Sequence, residues 1–117
     1  MGKYCEKLKR GSIELLLLKL LSESDLYGYQ IVQLFNDLTN ETITLTIGNM
    51  YPTLYKLEEK EFVKSYRKLT GKRMERVYYH LTDLGKKELK EMIHDYNSVI
   101  DATNNILNYK SIISEAE

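Results

Sequence analysis

An apolar repeat near the end of the chain predicts one helix that is too long for the rest of the protein to cover. A helix from Asp83 to Asn108 would be about 39 Å long at 1.5 Å per residue. Its apolar stripe alternates spacings of three and four residues, as in helices that pack along a seam. The stripe and its flanking column are Leu89, Met92, Ile93, Tyr96, Val99, Ile100, Thr103, Ile106 and Leu107. We therefore expect residues 83–117 to form a dimerisation helix, although a helix lying along its own domain would share this pattern.

The length and composition allow one domain with a genuine core and exclude several classes of protein. The chain has 117 residues, 43% hydrophobic and 29% charged, which is ordinary for a globular protein. The longest apolar run, Leu15–Leu18, has four residues, whereas about 20 are needed to span a bilayer. Cys5 is the single cysteine, so no intramolecular disulfide can form. We expect a cytoplasmic protein with no membrane partner.

Few residues suited to catalysis are present. The chain has two histidines and one cysteine, without HExxH, CxxC, GxSxG or GxGxxG spacing. We interpret His80 and His94 as packed or solvated side chains, because a metal site needs three or four convergent ligands. We therefore expect no enzyme activity and no metal or other cofactor.

The net charge of zero conceals alternating blocks of charge. Residues 1–11 carry +3, residues 12–45 carry −4, residues 46–82 carry +4 and residues 83–117 carry −3. Within residues 62–80 six cations face a single Glu75. A local basic patch on a neutral protein is typical of a nucleic-acid binder, but a solvated Lys- and Arg-rich hairpin would look the same.

The first half of the chain predicts two helices and a short strand. Ser12–Leu21 reads as a helix with Ser12 as its N-cap. This helix is apolar nearly all round, so we expect Leu15 and Leu18 to contact a partner chain. Tyr27–Asp37 has amphipathic spacing, and the β-branched alternation of Thr42–Leu45 predicts a strand.

A third helix is expected after Thr46, which is suited to be its N-cap. Pro52 is awkward in a helix, but the carbonyl it crowds belongs to Gly48, so the helix should begin near Asn49 or with an irregular turn. The expected inner face is Ile47, Met50, Leu54 and Leu57, and the residues that point away from it are Asn49, Tyr51, Thr53 and Lys56.

The sequence pattern predicts two further strands, Phe62–Lys68 and Glu75–Leu81, joined as a hairpin by a longer loop. In the second strand Val77, Tyr79 and Leu81 should point inward. Thr82 is expected to cap the last helix. The resulting fold class is mostly α with a small β wing: a winged helix–turn–helix in residues 1–82, followed by the long dimerisation helix in residues 83–117.

This order of elements predicts a double-stranded DNA-binding surface on the third helix and the hairpin. Asn49 can read adenine, and Lys56 can reach guanine or a phosphate. Tyr51 is expected to hold a phosphate through its hydroxyl; the alternative is that it packs against the short strand. Thr53 completes the face. The hairpin cations Lys68, Lys72 and Arg73 are expected to meet phosphates.

Three motifs resemble the PadR family of bacterial transcriptional regulators, in its short subfamily. They are Leu26–Ile31, Gly48–Leu54, and Arg76–Thr82 followed by Gly85. Glu61 stands where members often have Gly, so we expect a different backbone conformation there. The fold leaves one alternative function, a winged-helix module that binds proteins rather than DNA.

The resemblance implies a ligand-responsive repressor of a neighbouring operon for transport or detoxification, acting as a homodimer on a palindromic operator. It implies that the last helix packs on the partner's first helix. Together with the stripe, this places Leu15, Leu18, Leu89, Met92, Ile93, Tyr96, Val99, Ile100 and Ile106 at the interface. Tyr96 lies where some members stack a small aromatic effector, but it fits a simple seam residue equally well.

Overall fold

The computed structural model describes residues 2–72 and 74–112. Its secondary-structure elements come in the order helix, helix, strand, helix, helix, strand, strand, helix. Their bounds are α1 Cys5–Leu8, α2 Ile13–Glu23, β1 Leu26–Tyr27, α3 Gly28–Leu38, α4 Ile47–Glu59, β2 Val63–Thr70, β3 Met74–Leu81 and α5 Asp83–Leu107. The short α1 was not predicted from the sequence.

Helix α2 forms the centre of the core. Leu17 and Leu18 are fully buried, and Leu15 is only 9% exposed. The prediction that Leu15 and Leu18 contact a partner chain is therefore wrong, because the subunit's own sheet and helices already cover them. Ser12 occupies the N-cap position, but its hydroxyl donates backward to the Lys9 carbonyl (2.5 Å) instead of capping α2.

The strand predicted over Thr42–Leu45 is wrong. This segment is a loop that begins with a bend, and the side chain of Asn36 hydrogen-bonds to the backbone at its end. The Asn36 amide donates to the Leu45 carbonyl (3.1 Å), and its oxygen accepts from the Leu45 N–H (2.8 Å). The short strand of the sheet is β1, where Leu26 pairs with Tyr79 in the antiparallel order β1-β3-β2.

Helix α4 begins as the sequence predicts and passes through Pro52. The Thr46 hydroxyl accepts from the Asn49 N–H (3.2 Å), and its carbonyl accepts from both Asn49 and Met50, which tightens the first turn. Met50, Leu54 and Leu57 are fully buried, as expected. Ile47, however, is 54% exposed, because it lies in the first turn, beyond the end of the core.

The turn from α4 into β2 departs from the expectation for Glu61. This residue has a φ of 64°, in the left-handed region that glycine prefers. The N–H of Phe62 donates to the Leu57 carbonyl (3.0 Å) and that of Glu61 to the Glu58 carbonyl (2.9 Å). This pair of hydrogen bonds is the Schellman motif, so Glu61 holds a glycine conformation without being glycine.

The hairpin pairs β2 with β3 from Val63↔Leu81 to Thr70↔Met74. The strands are longer and the loop shorter than predicted, and Gly71 turns the chain with a φ of 71°. Arg73 lies outside the described residues. Tyr79 and Leu81 are buried as predicted, but Val77 is 38% exposed, because the hairpin reaches beyond the core there.

Helix α5 begins against the turn before β2 and then leaves the domain. Thr82 caps it by accepting from the Gly85 N–H (3.0 Å), as predicted. A Cβ on Gly85 would collide with the Phe62 carbonyl oxygen, so the two segments touch directly. Leu89 is buried and Met92 half-buried, but every residue from Ile93 to Ile112 is exposed, and the molecule is 77 Å long.

Candidate nucleic-acid interface

The four residues predicted to point away from the inner face of α4 differ in how far their side chains are exposed to solvent. Asn49 and Lys56 are exposed, whereas Tyr51 and Thr53 are half-buried. The Thr53 hydroxyl donates to the Asn49 carbonyl one turn back (3.0 Å), so Thr53 offers a ligand mainly its acceptor lone pairs. Asn49 therefore presents its side-chain amide to solvent, and both the NH2 donor and the carbonyl acceptor of that amide can meet a ligand.

Tyr51 is held by contacts with α3 and with its own helix. Its hydroxyl lies so close to Gly28 that a Cβ there would collide with it. Its ring stacks on Tyr55 with 5.9 Å between ring centres. The alternative prediction had Tyr51 packing against the strand expected at Thr42–Leu45, whereas the contact found is with Gly28, the first residue of α3. Among the described residues none hydrogen-bonds to the Tyr51 hydroxyl.

Tyr55 extends this surface and was missed by the sequence reasoning. Its side chain is 54% exposed and lies one turn after Tyr51. The signal was available, since residues four apart on a helix are neighbours. Two adjacent phenol groups therefore border the outer face of α4.

The hairpin cations differ in how freely they can meet a ligand. Lys68 lies 5.5 Å from the Tyr78 ring centre, and Arg76 lies 4.3 Å from that of Tyr27. Arg67 is paired with Glu75 at 2.9 Å. Lys72 is exposed in the turn at the tip. The two tyrosine rings and Glu75 thus keep three of the cationic side chains close to the strands. Lys72 projects into solvent beyond them.

Asp25 ties both strands of the hairpin to the loop before β1. It accepts a hydrogen bond from the Tyr66 hydroxyl on β2 (2.8 Å) and pairs with His80 Nδ1 on β3 (2.8 Å). Burial raises the pKa of Asp25, but the hydrogen bonds from His80 and Tyr66 outweigh it and hold the pKa below its ordinary value. The bond to Asp25 raises the pKa of Tyr66. No sequence pattern links these three residues.

The predicted interface residues on α5 form a stripe with little cover in one subunit. Val99 is 62% and Ile106 77% exposed, and Tyr96, the predicted effector contact, is 46% exposed. On the body of the domain, α2 and α3 form an apolar cleft of about 160 Å³ lined by Leu16, Lys19, Leu20, Phe35, Leu38 and Thr39. Leu16 and Leu20, rather than Leu15 and Leu18, are the α2 leucines that reach this surface.

These features define the class: a winged helix–turn–helix protein, mostly helical with a small three-stranded sheet and a long C-terminal helix. Among the described residues, no group of histidine, cysteine or acidic side chains could hold a metal ion. No helix in residues 2–72 and 74–112 is long and apolar enough to cross a membrane.

Comparisons with known proteins identify the family. Residues 17–91 match the transcriptional regulator PadR-like family, so the chain belongs to it. The negative transcriptional regulator PadR of Bacillus subtilis is 31% identical over 77 residues, which cover 66% of this chain and 42% of that protein. Members of this family are DNA-binding regulators of transcription and not enzymes.

Two solved structures show the same fold. A transcriptional regulator from Clostridium thermocellum is 28% identical, with a TM-score of 0.78 over 86% of this chain and 97% of that one. Bacillus subtilis PadR in complex with operator DNA is also 28% identical, with a TM-score of 0.62 over 88% of this chain and 50% of that one. This chain therefore spans about half the length of the regulator solved with DNA.

Proposed function

We propose that residues 1–82 of this regulator bind an operator through α4 and the hairpin, and that residues 83–117 join two subunits. The observation that carries the proposal is the outer face of α4, where an open amide and a fixed phenol stand together. Asn49, Tyr51, Thr53 and Lys56 form the DNA-facing set on α4, and Lys68, Lys72 and Arg73 supply cations from the hairpin.

The two central side chains have different tasks. Asn49 can form two hydrogen bonds with adenine in the major groove, which is a base-specific contact. Tyr51 is held in place by Gly28 and Tyr55, so its hydroxyl is oriented before DNA arrives. A hydroxyl in this setting suits a phosphate oxygen, which fixes the register of the helix without reading sequence.

Dimerisation follows from the uncovered stripe on α5. Val99, Ile106 and Tyr96 would leave a large apolar surface in water, which a monomeric protein rarely tolerates. A second copy of α5, together with Leu16 and Leu20 of α2, offers the matching apolar surface. Two-fold symmetry then presents two copies of α4 to a palindromic operator.

The regulatory direction is proposed from the relatives. The Bacillus subtilis protein is named as a negative regulator, and we propose that this chain likewise represses a neighbouring operon, one for transport or detoxification, in the cytoplasm. An aromatic small molecule that stacks on Tyr96 between the two subunits would relieve repression. The exposed ring of Tyr96 supports this assignment.

The test compares Asn49→Ala and Tyr51→Phe on the DNA upstream of the chain's own gene and on a scrambled duplex. If Asn49 reads a base, its loss should weaken operator binding by about 1–3 kcal/mol for each half of the operator and leave binding to the scrambled duplex nearly intact. Tyr51→Phe should weaken both together, since phosphates are common to both.

The matched control is Asn105→Ala, an exposed asparagine on α5. It should bind both duplexes as the parent does. An Asn49→Ala variant that binds the operator as tightly as the parent would show that the reading face is assigned wrongly. Failure of the parent to bind either duplex would favour the protein-binding alternative.

A further inference from the structure

The N-terminal segment, residues 2–11, forms one wall of a cleft beside the first half of α4. The cleft has a volume of about 280 Å³ and is lined by Glu6, Lys9, Arg10, Gly11, Ile13, Asn49 and Thr53. Asn49 and Thr53 belong to the DNA-facing set on α4. The segment thus borders the surface proposed to read bases, and residues 1–11 carry a net charge of +3.

Lys9 fixes the position of this segment. Its side chain is only 11% exposed and pairs with Glu6. Its ammonium group donates to the Thr44 carbonyl (2.9 Å), two residues before the N-cap of α4. Its carbonyl accepts from both the N–H and the hydroxyl of Ser12, at the start of α2. The backbone is therefore held at Lys9 from two sides, immediately before Arg10.

Arg10 is in the opposite situation. Its side chain is exposed, and within residues 2–72 and 74–112 no side chain forms an ion pair or hydrogen bond with its guanidinium. The two nearest acidic residues along the chain, Glu6 and Glu14, are already paired with Lys9 and Lys60. A fixed backbone that carries an unpaired guanidinium suits a phosphate, which such a group can bind through two parallel hydrogen bonds.

The outer face of α4 has little positive charge of its own. Lys56 is the cation of the DNA-facing set on this helix, while Asn49, Tyr51 and Thr53 are neutral. The hairpin follows the C-terminal end of α4, whereas the N-terminal segment lies beside its first half. A helix in the major groove is flanked by phosphates, which position it. In the first half of α4 the proposed phosphate contact of Tyr51 comes from a neutral hydroxyl, so a positively charged contact is missing there unless Arg10 supplies one.

We propose that Arg10 binds a phosphate of the DNA backbone beside the groove that α4 enters, and that Lys9 is the positioning residue for this contact. The inference rests on the proposed function, since it requires α4 to face DNA. It assigns to the N-terminal segment a sequence-independent contribution to affinity.

The experiment measures binding of Arg10→Ala, Arg10→Lys and the parent to the upstream duplex and to a scrambled duplex at several salt concentrations. Lys90→Ala is the matched control, because it also removes one exposed positive charge but lies on α5. Thermal unfolding of each variant should match the parent, since both side chains are exposed.

Arg10→Ala should weaken binding to both duplexes by the same factor, about tenfold for each charge-assisted contact and therefore about 100-fold for the two contacts of the proposed dimer. The slope of log affinity against log salt should fall by about 1.8, which is about 0.9 for each of the two phosphates that the two copies of Arg10 contact in the proposed dimer. Arg10→Lys should retain the salt slope and part of the affinity, because the charge stays while the planar fork is lost.

Two results would overturn the inference while the proposed function stands. One is an Arg10→Ala variant with the affinity and salt slope of the parent, or with the same loss as Lys90→Ala. The other is a loss confined to the upstream duplex, which would mean that Arg10 reads a base. A parent that binds no DNA would overturn both proposals together.

A double-mutant cycle tests the role of Lys9. If Lys9 positions Arg10, the Arg10→Ala change should have a clearly smaller effect in a Lys9→Ala background than in the parent. Equal effects in the two backgrounds would show that Arg10 reaches DNA without the bond from Lys9 to Thr44.

Discussion

Glu61 shows how one residue can occupy a conformation suited to another. It lies at the left-handed position of the Schellman motif that ends α4, with a φ of 64°. The carbonyls of Glu61 and Phe62 both accept from the Thr82 hydroxyl, at 2.7 and 3.0 Å. Because Gly85 also lies against Phe62, this turn fixes the point from which α5 leaves the domain. The contacts there are strong enough to impose the conformation on a residue with a Cβ.

Replacing Glu61 with Gly should raise the free energy of unfolding by about 1 kcal/mol, since a left-handed residue with a Cβ is strained by about that amount. Its exposed side chain forms no ion pair with the described residues, so little is lost. Glu91→Gly is the control, and it should lower stability by about 1 kcal/mol because the exposed Glu91 lies in the interior of α5. Denaturant unfolding measures both, and a Glu61→Gly variant no more stable than the parent would contradict the strain.

At the level of elements, the hairpin depends on Asp25. This one carboxylate contacts both strands, through Tyr66 on β2 and His80 on β3. The hairpin has few core contacts beyond Val63, Tyr79 and Leu81, so a tie at its outer face helps to set its angle against the helices. The angle in turn places Lys72 relative to α4.

The free energy of unfolding at acid pH should show how much the Asp25 carboxylate stabilises the hairpin. The pKa of Asp25 lies below its ordinary value of 3.8 in the folded chain. Its ionised form therefore stabilises the fold fully above that value, and the stabilisation is lost as the pH falls through the folded pKa. Parent and Asp25→Asn should differ in free energy of unfolding near neutral pH and converge in acid.

Denaturant unfolding between about pH 5 and pH 2.5 measures this difference. Asp101→Asn is the control: it changes an exposed aspartate on α5 and should show no such convergence. A gap between parent and Asp25→Asn that persists unchanged into acid would mean that the ionised carboxylate does not hold the hairpin.

The elements that could be predicted are those with a local cause. Thr46 and Thr82 cap α4 and α5 because their hydroxyls act on residues three further along. Thr42–Leu45 has the alternation of a strand, yet side chains bond its backbone instead: Asn36 bonds Leu45, while Thr39 and Lys9 donate to the carbonyls of residues 43 and 44. The strand β1 has only two residues, too few for any period to show. Both differences from the prediction come from contacts between separate segments, which are Asn36 with Leu45 and Leu26 with Tyr79.

In the candidate site, too, the features with a local cause could be predicted and those that depend on contacts between segments could not. The outward direction of Asn49 and Lys56 follows from the inner face of α4, which helical periodicity defines. The support of Tyr51 by Gly28, the hydrogen bonds of Asp25 and the cleft beside Arg10 join residues that are 23 to 55 positions apart. No spacing rule within one helix or strand can predict such contacts.

At the scale of the whole molecule, the exposed apolar stripe on α5 is the basis of the proposed dimer. Changing Val99 or Ile106 to Asp should convert the dimer to a monomer, because an unpaired charge would be buried at the interface. Both side chains are mostly exposed in one subunit, so the variants should fold with the circular dichroism of the parent. Light scattering at micromolar concentration measures the mass.

Asn105→Asp is the control for the added charge. Helical geometry places it about 150° around α5 from the middle of the apolar stripe, and it should remain dimeric. A parent that is monodisperse and monomeric would contradict the assignment of α5 as the dimerisation helix. If both Asp variants remained dimeric, that result would also contradict the assignment of α5 as the dimerisation helix.

The proposed function depends on DNA binding by α4 and the hairpin. The direct measurement is fluorescence anisotropy of the parent protein with the duplex upstream of its own gene and with a scrambled duplex, at about 50 and 200 mM salt. We predict tighter binding to the upstream duplex and a loss of about 10³-fold or more at the higher salt, as expected if six or more phosphates are contacted. Absence of binding, or equal and salt-independent binding to both duplexes, would contradict the account.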